Sequence, residues 1–274
     1  GNAVFTAEHA APVDAKEWKR DVLEAYLGVA LHRQFSTGPE AFEDLYQRIC
    51  QFSQSLSDQG QSSSIERLPA AIVETMSSLA FAVDSKDQYT QGHSQKVSSY
   101  AALIAQAAGL KPVEVEEVRL AALLHDVGKV GIPETILNKA GPLDASEWDT
   151  MKSHAMLGWR ILESLRALQK VREMIRHHHE FYDGSGYPDQ VEAERIPLGA
   201  RIIAVADAYD TITSPRVYKK ARSAEAAFSE IERCAGTQFD PDIVRLFVQT
   251  IRSQPHPILE VSLSAEDPVR GSSK

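Results

Sequence analysis

Cysteine is nearly absent from this chain: Cys50 and Cys234 are the only two in 274 residues. They lie far apart in segments that read as helical, which excludes a disulfide framework and points to a reducing compartment, read here as the cytoplasm. Basic charge is also short. Thirty-eight acidic residues against 29 basic ones leave a formal charge of −9, so affinity for DNA or RNA duplexes or for anionic membranes is not expected. A phosphate site would depend on local cations. No apolar run approaches the roughly twenty residues that cross a bilayer, and the basic-then-apolar opening of a signal peptide is missing, so no membrane segment is expected. An initiator methionine is lacking too. Gly1-Asn2-Ala3 reads as a cut site or cloning remnant, which makes a longer parent protein the expectation. Clear strand alternation and internal repeats are likewise absent.

What is there is helical periodicity, and the expected fold class is all-α. Asp14 is placed to cap a helix bearing Trp18, Val22, Leu23, Tyr26 and Leu27. Pro39 opens a second whose Phe42, Leu45, Ile49, Phe52 and Leu56 step by threes and fours. The polar stretch from Ser57 to Ser64 has the composition of a flexible connector and marks a boundary. Residues 1–64 are therefore expected to form a small N-terminal helical segment, regulatory or dimerising, with a homodimer through these helices as its simplest use. Residues 65–252 form the main domain and 253–274 a loose tail. A helix carrying Ile65, Leu68, Ile72, Met76, Leu79 and Val83 reads either as core or as a dimer seam. Further helices are expected near 93–108, 113–126, 146–165, 167–179, 198–213, 223–235 and 240–252, with turns at Gly109-Leu110-Lys111-Pro112 and Gly131-Ile132-Pro133.

Six of the nine histidines, His93, His125, His154, His177, His178 and His179, crowd into one part of this domain. His125-Asp126 closes the apolar run from Leu120 to Leu124, which delivers an imidazole and a carboxylate to the edge of a buried region where unpaired charge is costly. Asp207, after Ile202-Ile203-Ala204-Val205-Ala206, repeats that design. A divalent metal would neutralise such groups, and a mixed imidazole and carboxylate set suits Fe, Mn, Ni or Zn. If the helix continues past His125, Lys129 falls on the same face as an anchor for a phosphate or a proton donor. Its plainer role is to complement a helix C-terminus. His154 alone reads as a hydrogen-bonded core residue or as a ligand, and Gly158 four residues later would admit a close helix neighbour. Three successive imidazoles at 177–179 cannot share one helix face. They run into Asp183-Gly184-Ser185-Gly186-Tyr187-Pro188, where the glycines permit positive backbone torsions or close approach and Tyr187 offers a ring and a hydroxyl. Arg216, Lys219 and Lys220 suit an anionic ligand or a solvated surface.

Taken in order, Asp87-x-Tyr89-Thr90-x-Gly92-His93-Ser94, HDVGKVGIP from His125, His154-x-x-x-Gly158, HHEFYDGSGYP from His178 and ADAYDTITSPRVY from Ala206 resemble the HD-GYP family over roughly residues 70 to 250. That family is a helical subgroup of the HD phosphohydrolases whose characteristic activity is hydrolysis of the second messenger cyclic di-GMP.

The resemblance implies two divalent transition metals, Fe or Mn with Ni or Zn as alternatives. One would be held by His93, His125, Asp126 and Asp207, the other by Asp126, His154, His178 and His179, with Asp126 shared. It implies Lys129 beside the scissile phosphate and Tyr187, Arg216 and Lys219 against the nucleotide. Tyr89 stands where members with a third metal have glutamate, so two metals are expected, and His177 falls outside the matched set with a structural role. Val217 interrupts the more usual Arg-Pro-Tyr, a departure that bears on substrate affinity. Metals about 3.5–4 Å apart would activate a water against the phosphodiester, with Asp126, His125 and Lys129 in the catalytic set. Two other functions fit the same motifs: hydrolysis of another cyclic or linear dinucleotide, and a weakly active module that binds cyclic di-GMP to signal.

Overall fold

In a computed structural model the described residues, 70–86, 92–163, 165–215 and 221–253, are helical, with one isolated bridge between Ala235 and Phe239. The expected helices of residues 1–64, the tail beyond Ser253, and Cys50 lie outside the described residues. Among the described residues ten α-helices follow one another. They are α1 Ala70–Lys86, α2 His93–Ala107, α3 Pro112–Leu124, α4 Glu134–Leu137, α5 Ala145–Lys152, α6 His154–Ile161, α7 Gln169–His177, α8 Leu198–Thr213, α9 Ala224–Arg233 and α10 Pro241–Arg252. A 3-10 turn, Val127–Gly131, joins α3 to α4. No helix among the described residues is long and apolar enough to cross a membrane.

Local chemistry explains where these helices begin and end. Pro112 sits in the first turn of α3, where its missing N–H costs nothing, and Glu114 reaches back to the Lys111 N–H at 3.0 Å. Asp144 and Glu147 form a reciprocal capping box on α5, while Ser223 and Asp240 cap α9 and α10. Gly109 takes the left-handed backbone, φ 77°, that ends α2.

Two boundaries differ from the expected ones. The run expected as one helix over 146–165 breaks at Ser153 into α5 and α6, because His154 must turn inward while α5 has no buried residue. The helix expected to reach Asp126 stops at Leu124, and the tighter turn after it re-aims the residues that follow.

The core lies where α2, α3, α7 and α8 pack together. Val97, Ala101 and Ile104 of α2, Val118, Leu120 and Leu124 of α3, Val171 and Ile175 of α7, and Ile202, Ile203 and Val205 of α8 are all buried. In α1, Met76 and Val83 are buried, which favours the core over the seam for those positions, although Phe81 is 55% exposed. The outer helices are tied on by aromatic rings. Tyr209 meets Tyr100 edge-on at 5.1 Å, stacks on Phe228 at 5.5 Å and meets Phe247 at 5.0 Å, so α2, α8, α9 and α10 share one cluster. Arg201 of α8 also pairs with Asp240, the cap of α10.

Glycine sets the closest approach in the domain. A Cβ on Gly128 would lie 1.9 Å from the His154 carbonyl oxygen and 2.5 Å from the Gly158 nitrogen, and one on Gly158 would meet Ile175 at 3.0 Å. The 3-10 turn therefore presses directly on α6, the close contact anticipated at Gly158. Because Phe247 is fully buried in the ring cluster, Phe247→Ala is expected to cost about 3–5 kcal/mol of stability, read as a lowered urea midpoint with little change in slope.

Candidate metal centre

Five imidazoles and two carboxylates from five helical segments meet in the core. His93 comes from the first residue of α2, His125 and Asp126 from the junction of α3 with the 3-10 turn, and His154 from the start of α6. His178 and His179 follow α7, and Asp207 projects from the middle of α8. Atoms of His93, His125 and Asp207 lie within 4.8 Å of one another, as do those of His154, His178 and His179. A third set, His125, Asp126 and His178, links the two at the same spacing. His93, His125, Asp126, His154 and His178 are buried, while Asp207 and His179 are partly open.

Hydrogen bonds fix which ring nitrogen faces inward. His125 Nδ1 is 2.7 Å from the Ala122 carbonyl, His154 Nδ1 is 2.7 Å from that of Met151, and His178 Nδ1 is 2.6 Å from that of Ile175. In each case Nδ1–H donates to a carbonyl of a helix's last turn, so the lone pair lies on Nε2. Those Nε2 atoms face the cluster: His125 lies 3.4 Å from Asp126 Oδ2, His154 lies 3.5 Å from Asp126 Oδ1, and the His154 and His178 Nε2 atoms are 3.5 Å apart. His93 is held by two carboxylates on one face of α8, with Nδ1 2.7 Å from Asp210 Oδ2 and Nε2 3.2 Å from Asp207 Oδ1.

The electrostatics divide the cluster. Burial, followed by the neighbouring imidazoles, pushes His178 well below the ordinary histidine value and His179 down to about 3. Burial also lowers His154, with Asp126 opposing. These rings are neutral donors at neutral pH. At His93 burial opposes protonation, but the hydrogen bonds it donates to Asp207 and Asp210 win and push it up to about 10. For Asp126 burial favours the neutral acid, yet Lys129 and the imidazoles together hold it well below the usual carboxylate range. Asp207 is likewise held low, against its burial, chiefly by His93. Neutral imidazole lone pairs facing ionised carboxylates form a donor set that fits divalent transition ions, and a cation between His93 and Asp207 would take the place of the proton there.

Lys129 Nζ lies 2.7 Å from Asp126 Oδ2. The α-helical continuation expected to bring it alongside His125 is replaced by the 3-10 turn, whose three-residue period puts Lys129 over Asp126. Gly184 has the positive torsion anticipated, φ 80°. Gly186 admits its own loop's backbone: a Cβ there would lie 2.2 Å from the Phe181 nitrogen. Tyr187 stands over His179 with ring centroids 4.9 Å apart. A cavity of about 340 Å³ opens beside His178, His179 and Asp207, bounded by Phe181, Arg222 and Gln238. Arg216, Lys219 and Tyr89 lie outside the described residues.

His177 points elsewhere, as its exclusion from the matched set implied. Its Nδ1 lies 2.8 Å from the Glu173 carbonyl and its Nε2 2.9 Å from Asp189 Oδ2. It shares a small cluster with Glu180 and Asp189, where Arg176 binds both Asp189 oxygens at 2.6 and 2.8 Å.

Two residues beside the cluster escaped the sequence reading. Asp210 is the partner that orients His93, and its signal was present: it follows Asp207 by one helical turn in the same motif. Trp148 is 47% exposed and meets Tyr187 edge-on at 6.3 Å, extending the aromatic wall; nothing in the sequence linked the two.

A model of the HD domain matches residues 77–243. The chain belongs to the HD domain family, and its motifs place it in the HD-GYP branch. A cyclic di-GMP phosphodiesterase of Thermotoga maritima is 38% identical over 180 residues, 65% of this chain and 49% of its own length. A 3′3′-cGAMP-specific phosphodiesterase 2 of Vibrio cholerae is 38% identical over 178 residues, 64% of this chain and 34% of its own. The chain thus spans about half of the first relative and about a third of the second. The crystal structure of a cyclic GMP-AMP specific phosphodiesterase of V. cholerae superposes with a TM-score of 0.53 at 22% identity, covering 66% of this chain and 49% of that one. At that identity the likeness is one of fold.

Removing the charge that orients His93 tests the hydrogen-bond scheme. Asp210→Asn is expected to weaken binding of added Mn2+ by about 10–100-fold, measured by calorimetry on metal-stripped protein. Unchanged affinity would show that the ring needs no such partner.

Proposed function

We propose that the chain is a metal-dependent phosphodiesterase that hydrolyses cyclic di-GMP to the linear dinucleotide pGpG, to GMP, or to both. The observation that carries this reading is the buried meeting of lone-pair imidazole nitrogens and ionised carboxylates around Asp126, with a lysine ammonium 2.7 Å from that same carboxylate. In this reading His93, His125, Asp126 and Asp207 hold one divalent ion and Asp126, His154, His178 and His179 hold the second. Fe or Mn is the expected metal, with Ni or Zn as alternatives that the same ligands accept. When bound, such a pair supplies an activated water and neutralises charge on the phosphate.

The chain's own groups do the rest. Phosphorus gains a water oxygen, its bond to the leaving ribose oxygen breaks, and Lys129 supplies the proton that oxygen needs before being recharged from solvent. A lysine suits this step because its charge also offsets the growing negative charge on the phosphoryl oxygens. Asp126 keeps the ammonium close to the reaction. Tyr187 offers a stacking face beside His179, and Arg216 and Lys219 supply positive charge to the nucleotide in an otherwise acidic chain. The protein is expected to act in the cytoplasm, where cyclic dinucleotides are made, and to dimerise through the helices of residues 1–64.

Equal identity, 38%, to relatives named for cyclic di-GMP and for 3′3′-cGAMP favours one second reading, hydrolysis of the mixed cyclic dinucleotide by the same centre. Specificity for one purine over another lies in base contacts, which the metal ligands do not make. Parallel assays of both substrates, with metal analysis of anaerobically purified protein, decide between them. Faster turnover of cyclic di-GMP is expected, and binding without turnover of either would leave a signalling module instead.

Substitutions separate the roles. Asp126→Ala is expected to lose metal and hydrolysis together, since both ions would need that carboxylate. Lys129→Ala should keep its metal content and lose turnover by about 100-fold or more, the scale of a positioned proton donor. Normal turnover in that variant rejects the role given to Lys129.

A further inference from the structure

The last turn of α1 carries two side chains of opposite charge, and each reaches a different segment of the metal centre. Asp84 is 3% exposed, and its carboxylate accepts from the Ser94 N–H at 3.1 Å and the Ser94 hydroxyl at 2.6 Å. Ser94 lies in the first turn of α2, directly after His93. That helix begins at Gly92 and has no capping side chain of its own, so Asp84 supplies its cap from a neighbouring helix. Lys86 reaches the far end of the 3-10 turn, where its Nζ donates to the carbonyls of Ile132 at 2.7 Å, Val130 at 3.0 Å and Lys129 at 3.4 Å. The side-chain amide of Asn138 donates back to the Lys86 carbonyl at 3.2 Å. Each charge therefore sits at the helix end it complements, carboxylate at exposed N–H groups and ammonium at exposed carbonyls.

We propose that Asp84 and Lys86 are positioning residues: a two-armed clamp by which the end of α1 sets where His93 stands relative to Lys129. One arm holds the helix that starts with His93, and the other holds the backbone carbonyl of Lys129 itself. A plain capping role would add stability and nothing more. A clamp does more than that, because the two segments it joins meet the substrate from different elements, and a misplacement of about 1 Å between reacting groups is costly, on the order of 100-fold in rate. The same geometry ties the C-terminal end of α1 directly to two segments of the site. The catalytic consequence rests on the reading of Lys129 as the proton donor.

The test compares Lys86→Met and Lys86→Arg in the full chain, loaded with Mn2+, by cyclic di-GMP kinetics and by amide hydrogen exchange over residues 127–132. Lys86→Met is expected to lower kcat by about 10-fold or more, within that misplacement scale. KM should stay within about twofold and metal content should be unchanged, because only transition-state contacts are disturbed. Exchange over 127–132 should accelerate, and Lys86→Arg, which can still donate to carbonyls, should restore most of both. Asp84→Asn provides a second arm with exchange read at Ser94, should Lys86→Met fail to fold. Wild-type kcat in Lys86→Met, or unchanged exchange in both variants, overturns the clamp. If the wild-type protein hydrolyses no cyclic di-GMP yet exchange over 127–132 still accelerates, the proposed substrate falls while the clamp on that segment stands.

Discussion

The site depends on a use of helix ends. The last turn of an α-helix leaves carbonyls without intrahelical partners, and three of the histidines are placed where their Nδ1–H can take one: Ala122 for His125, Met151 for His154 and Ile175 for His178. This single contact sets the tautomer, stops ring rotation and directs Nε2 into the cluster. It also satisfies a buried carbonyl that would otherwise carry a desolvation cost. The fourth ring, His93, begins a helix instead of ending one, so no such carbonyl is at hand, and Asp210 takes the part. Burial keeps His154 and His178 neutral, whereas the carboxylates of Asp207 and Asp210 together raise His93 against its burial.

From that arrangement much of the fold follows. If histidines must lie at helix ends, several short helices have to terminate around one point, and the break at Ser153 and the stop at Leu124 are the means. The 3-10 turn then brings Lys129 over Asp126, and the Gly128 and Gly158 pair lets that turn press on α6, where any side chain would push His154 outward. Asp126 sits in the middle of this convergence. Buried among imidazoles and one ammonium, it stays ionised because the positive neighbours outweigh desolvation, and that is the condition for a carboxylate to face two cations at once.

Much of this was legible in the sequence, and the reasons are specific. The bounds of α2, α8 and α10 fell within a residue or so of their periodic patterns, because each has one buried face and a clear stop such as Gly109 or Ser214-Pro215. Five of the seven residues that meet in the centre were recoverable because HD, the paired histidines before the glycine loop and ADAYD are contiguous motifs, and His93 and His154 followed from the shorter motifs Gly92-His93-Ser94 and His154-x-x-x-Gly158. What periodicity could not carry was any feature decided by a partner distant in sequence. Ser153 has no breaker chemistry of its own; the helix ends there because His154 is needed inside. Asp84 shows no sign of capping a helix that starts nine residues later, since a helix cap is ordinarily sought next to the helix itself.

The same reasoning bears on how the chain could be controlled. A metal centre assembled from five helical segments is only as well ordered as their mutual placement, and most of those contacts are deep in the core, where Ile104, Leu120 and Ile202 leave little room to move. The 3-10 turn is different. It is short, it carries Lys129, and beside the buried Ile132 side chain the carbonyls of its far end are tethered by one ammonium from α1. A hydrogen-bonded tether can be lengthened or released at modest cost, whereas an interdigitated core cannot, so control of turnover is most cheaply exerted at that tether.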